Sequence, residues 1–151
     1  MEGNPFGISD DLTESDLSTM AATPFDLGHG RSRSVADLVV GWAGHVNRLH
    51  AEQYLRPGED NEAWTAHDYV AALIIRDFVE RALRLLPRAV EDHAFTVVTK
   101  HDELLRSFTE PDSTGIMQRF APQEWNSNWW WQRLPQSGPV RHELDAFAAR
   151  T

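Results

Sequence analysis

The amino-acid sequence predicts an all-α fold: a bundle of about four main helices, with an acidic, partly disordered N-terminal leader and a Trp-rich loop segment near the C-terminus. Three observations predict it. Apolar residues recur at three- and four-residue steps through three long segments. Prolines and glycines fall between those segments, at Pro57-Gly58, Pro87, Pro111 and Gly138-Pro139. No stretch alternates apolar and polar residues long enough to define a strand, although 128–134 is compatible with extended chain. The expected division is a flexible acidic leader over 1–33 and a single helical domain over 34–151.

Within the leader, 12–20 reads as one short helix, because Thr13 and Asp16 stand at capping-box spacing. The first long helix starts after Ser34, with Asp37 three residues on. Val35, Leu38, Val39, Trp42, Val46 and Leu49 form its apolar stripe. The second starts after Thr65, again with an acid, Asp68, at the third position. Its apolar arc is wide, from Tyr69 through Leu73 and Phe78 to Leu86, which marks it as the central helix. Asp77 with Arg81 and Glu80 with Arg84 put the acid four residues before the base, as in surface ion pairs. Pro87 is expected to open the third helix at its first position, where a missing N–H costs nothing. Val90, Ala94, Val97, Val98, Leu105 and Phe108 carry that helix to about residue 108. A single turn is expected near 116–120. A last helix is expected from Pro139, capped by Ser137 or Gly138 and carrying Val140, Leu144 and Phe147.

The chain has 151 residues, 23 acidic and 14 basic, for a formal charge of -9. That length suits one domain with a real core. The charge is unevenly placed. Six acids and no base fall in the first 30 residues (−6); 17 acids and 14 bases follow (−3). Such a balance disfavours nucleic acid, which normally calls for a basic footprint. No run reaches the ~20 apolar residues of a membrane span, and Met1 to Pro5 lack the features of a secretory signal. The absence of cysteine removes disulfides and thiolate metal sites. No Gly-x-Ser-x-Gly or phosphate-cradling glycine loop is present. A cytoplasmic, prokaryotic protein without cofactor is expected.

Of the seven histidines, His50 and His101 fall on the apolar stripes of the first and third helices. If those helices face each other, the two imidazoles approach in the core, with His45 and His93 flanking. This makes His50 and His101 the weak metal candidates. No His-x-x-x-His or Glu-x-x-His spacing accompanies them. The ten residues from Trp64 to Leu73 resemble the start of the second helix in DinB-like four-helix bundles, which bind a metal through three histidines. Ala71-Ala72 stand where that family has one of them, and no functional residue carries over. Arg88 and His93, separated by four residues, are similar to the ribonuclease motif of the all-helical HEPN domains. That likeness implies His as acid/base and Arg as partner of the phosphate. Glu91-Asp92 and Asp102-Glu103 are adjacent acids that point to different sides of a helix, as solvated surface does.

The Trp cluster is the most unusual feature: Trp125, Trp129, Trp130 and Trp131 fall within seven residues. Three consecutive rings cannot all face inward on a helix or a strand. Either another segment covers them, or they form an aromatic hot spot beside Arg133. The expected function is a non-enzymatic interaction module, immunity- or antitoxin-like or otherwise regulatory, that binds a basic partner protein. The expected partner-binding residues are Asp10, Asp11, Glu14, Asp16, Trp125, Trp129, Trp130, Trp131 and Arg133. The rivals are a helical-bundle enzyme using histidines, metal-binding or HEPN-like, and an accessory subunit of a virion or other assembly.

Overall fold

Three helix starts are fixed by side chains placed at capping distance in the sequence. Thr13 accepts from the Asp16 amide, and Asp16 accepts from the Thr13 amide, each at 3.0 Å, closing a capping box on α1 (Glu14–Ala21). Ser34 Oγ accepts from the Asp37 amide and starts α2 (Val35–Glu52). Thr65 and Asp68 form a second capping box, on α3 (Ala66–Ala82). The protein is seen in a computed structural model that describes residues 11–56, 59, 62–122 and 128–150.

A 3-10 turn, Leu83–Leu85, extends α3. Leu86 is then extended (φ -86°, ψ 152°), the conformation that a following proline imposes. Pro87 occupies the N-cap of α4 (Arg88–Ser107), one position earlier than the sequence suggests. α2 packs against both α3 and α4. Further on come α5 (Ile116–Phe120), a 3-10 turn over Trp129–Gln132, and α6 (Pro139–Arg150), which opens on its proline and packs on α3 and α5.

The molecule is mostly helical, as expected, but it also holds two small antiparallel sheets. β1 (Pro24–Gly28) pairs with β2 (Arg31–Ser34), with Phe25 opposite Arg33 and Asp26 opposite Ser32. β3 (Thr109–Pro111) pairs with β4 (Arg133–Pro135), so only the end of the extended stretch anticipated over 128–134 is strand. The first hairpin turns through Gly28, His29 and Gly30, all at positive φ (91°, 56° and 72°). Glycine adopts this region freely, whereas His29 enters it as an uncommon non-glycine. Asp26 Oδ1 accepts the Gly28 amide at 2.8 Å and tightens the turn. Residues 11–33 of the leader thus carry regular structure, and Leu12, Met20 and Phe25 are buried against the body.

Trp42, Tyr69, Leu73 and Leu105 are fully buried at the centre. Among the described residues, every buried side-chain nitrogen and oxygen has a hydrogen-bond partner. The start of α3 is closed by the far end of the chain: Glu143 Oε1 on α6 accepts the Ala66 amide at 2.9 Å. Ser137 Oγ donates to Gln53 O just past α2. Among the described residues no helix is long and apolar enough to cross a membrane.

Candidate functional site

Most of the residues singled out in the sequence are engaged within the fold. Asp10 and Trp125 lie outside the described residues. Asp11 pairs with Lys100 on α4. Asp16 is buried and meets His93 Nδ1 at 2.9 Å. Burial acts to raise the Asp16 carboxyl, but hydrogen bonds from Thr13 and His93 outweigh it and hold the pKa below the usual carboxylate value. Of the leader acids named, Glu14 stays exposed, in the first turn of α1.

The Trp segment turns inward. Trp130 and Trp131 are 3% and 5% exposed, too little for a surface patch. Both indoles donate to Asp77 Oδ1, at 2.8 and 3.0 Å, and Trp131 also reaches Oδ2. Asp77, expected in a surface ion pair, therefore anchors this segment to α3. Trp129 is half-buried, with the Arg106 guanidinium 3.8 Å from its ring centroid. Arg133 donates to Thr109 Oγ1 and Thr109 O, tying β4 to β3, and its carbonyl accepts the buried Tyr69 hydroxyl at 2.8 Å.

Asp102 corrects another expectation. It is buried, 6% exposed, and accepts from Trp42 Nε1 and from Arg76. Arg76 is itself buried, stacked on the Trp130 ring at 4.1 Å and shared with Glu80. No sequence signal paired these groups, because 60 residues separate Trp42 from Asp102.

The histidines do not converge. His50 is exposed and lies against Phe108, not in the core. His101 Nδ1 lies 2.9 Å from Val97 O on its own helix. Arg88 pairs with Asp92 while His93 faces Asp16, so the two residues of the HEPN-like pair have separate partners. Among the described residues, no group of three or more His, Asp or Glu is placed to hold a metal ion.

A recess lies elsewhere. A cleft of about 550 Å³ opens between the first hairpin, α2 and α3. That volume is in the range of ligand pockets. Its floor is apolar: Leu38 and Gly41 from α2, Ile75 and Phe78 from α3, Leu27 from β1. Its rim is cationic. Arg31 and Arg33 stand two apart on β2, the spacing that shares one face of a strand. Both are exposed, and neither guanidinium has an ion pair among the described residues. His29, at the turn, joins them. Asp37 is the one carboxylate in the lining.

His45 completes the α2 wall. It is half-buried, with its ring 4.8 Å from that of Trp64. Burial lowers its pKa below the ordinary imidazole value; Asp68 opposes this and Arg48 adds to it. A neutral imidazole here offers one donor and one acceptor at neutral pH. No protein-family model, curated protein or solved structure matches this chain. The cleft itself is therefore the guide to function.

The site was missed in the sequence because its residues come from three elements. The available signal was Gly28-His29-Gly30 followed by Arg31-Ser32-Arg33-Ser34: a glycine-bounded turn running into a polar alternation that starts with the first basic residues of the chain.

Proposed function

We propose that this protein is a non-catalytic binding module whose cleft takes a ligand joining an anionic group to an apolar body. One observation carries the reading. On a chain of charge -9, the two arginines Arg31 and Arg33 stand without ion pairs, among the described residues, over a floor of Leu38, Ile75 and Phe78. Unpaired guanidiniums at the rim of an apolar recess suit a carboxylate or phosphate whose attached group enters the recess. The lining supports recognition: cationic donors at the rim, a half-buried imidazole and an apolar floor. It also changes the sign of the proposed contact. The acids Asp11 and Asp16 are paired with Lys100 and His93, whereas Arg31 and Arg33 at the cleft rim have no ion pair among the described residues.

Octanoate, a carboxylate on a plain alkyl chain, tests this reading. Titrated into the ¹⁵N-labelled protein, it should shift the amides of Gly28, Gly41, His45 and Ile75 in a saturable way. The double charge reversal Arg31→Glu with Arg33→Glu should abolish the shifts while leaving the fold unchanged by circular dichroism. Absence of saturable shifts at these amides in the native protein overturns the reading.

A further inference from the structure

The cleft does not end where its walls do. α3 carries Ile74, Phe78 and Arg81, and the 3-10 turn that extends it carries Leu85, at steps of four, three and four residues, which keep them near one face. That face is opposite the one holding the buried Tyr69, Leu73, Arg76 and Val79. Ile74 is 38% and Leu85 54% exposed, both large apolar residues turned to solvent. Singly, such residues are ordinary. Here they flank Phe78, which is also part of the cleft floor, so the apolar surface continues from the cleft along the helix. The seam spans twelve residues, ~16 Å of helix rise, more than a small ligand fills.

Cationic groups predominate along it. Arg81 lies within the seam, its guanidinium 5.5 Å from the Phe25 ring and 5.4 Å from the Phe78 ring. Arg31 and Arg33 overhang one side, and Arg84 is exposed toward its C-terminal end. Glu80 is committed to Arg76 and Arg84. Asp37 is the opposing charge at the cleft.

We infer that the cleft and the outer face of α3 form one docking seam, and that its occupant is a partner polypeptide presenting an acidic amphipathic helix. An apolar stripe at helical spacing would lie over Ile74, Phe78 and Leu85, and flanking carboxylates would meet Arg31, Arg33 and Arg81. The inference rests on the binding reading of the cleft and adds the chemistry of the partner.

The probe is a synthetic helix about four turns long, with leucine at every third and fourth position and glutamate on both flanks. It should bind saturably and shift amides over 71–85 as well as in the cleft. Ile74→Asp with Leu85→Asp should raise its Kd about tenfold, and so should Arg31→Glu with Arg33→Glu. All four positions are exposed, so the variants should keep the native circular dichroism spectrum. The same peptide with lysine for glutamate should bind at least about tenfold more weakly. No peptide binding, or binding indifferent to Ile74 and Leu85 or to the sign of the peptide, overturns the seam. Octanoate shifts that persist in that case leave the cleft reading standing; their absence removes both. Self-association lost in Ile74→Asp, or cosedimentation with phosphatidylglycerol vesicles in place of peptide binding, also overturns the inference, in favour of a second copy or a lipid surface.

Discussion

Arg76 on α3 grips Asp102 on α4 through two hydrogen bonds of 2.9 Å, Nε to Oδ1 and Nη2 to Oδ2. Burial would lower the Arg76 pKa, but Asp102 and Glu80 overcome it and raise it. The same carboxylate accepts Trp42 Nε1 at 3.0 Å, so one acid connects three helices. Asp102→Ala strands a buried guanidinium and a buried indole N–H. It should cost about 3–5 kcal/mol of unfolding free energy in urea titrations. Replacing the pair together, as Arg76→Met with Asp102→Leu, should cost clearly less, because no buried charge is left alone.

Asp77 has the matching role for the Trp segment. Asp77→Ala leaves the indole N–H groups of Trp130 and Trp131 without this acceptor, and an unsatisfied buried donor costs about 1–3 kcal/mol. Thermal unfolding should show the loss, with a red shift of tryptophan emission as the segment loosens. Asp77→Asn keeps an acceptor oxygen and should lose less. Equal loss in both variants would count against the indole contacts.

Asp16 predicts an acid limb in the stability profile. Its folded pKa lies below an unfolded value of about 3.9. The stability that it contributes is complete above the unfolded value and is lost as the pH falls through the folded one. Urea midpoints should therefore drop as the pH falls below about 5. Asp16→Asn should lower the midpoint above that pH and flatten the fall.

His45 predicts a second step nearer neutrality. Its folded pKa is depressed below the unfolded 6.5. Its contribution is full above that value and fades as the pH falls through the folded pKa. A proton NMR titration should place His45 below that unfolded value, and His45→Gln should remove its share of the loss. Octanoate bound at the cleft should move the titration upward, since an anion favours the imidazolium.

Gly138 tests the join between α2 and α6. At φ 100° a side chain is strained, and a Cβ there would stand 3.0 Å from Gln53 O. Gly138→Ala should lower the thermal midpoint measurably, on the order of 1–2 kcal/mol from the backbone conformation alone.

Local chemistry was legible in the sequence; long-range pairing was not. Ser34 and Thr65 each have an acid three residues later, and Pro139 opens its helix, so those starts follow from neighbours alone. The hairpin escaped because its strands are short and β2 is wholly polar, leaving almost no period-two apolar signal. The inward acids escaped for a different reason. Asp77 and Asp102 look like any helix-surface acid until Trp130 and Trp42, 53 and 60 residues away, are brought to them. The burial of Trp130 and Trp131 follows from the same pairing. Consecutive rings can both be interior once a 3-10 turn and a shared carboxylate receive them.

The bond from the Ala66 amide to Glu143 spans 77 residues and therefore also a span of time. At a synthesis rate of about 5–20 residues per second, Glu143 is made on the order of 4–15 s after Ala66. Asp77 waits in the same way for Trp130 and Trp131. α3 thus receives these hydrogen bonds from segments translated well after it. A chain stopped short of Glu143 holds every residue of α3, but neither this bond to its first amide nor the finished α6 that packs against it.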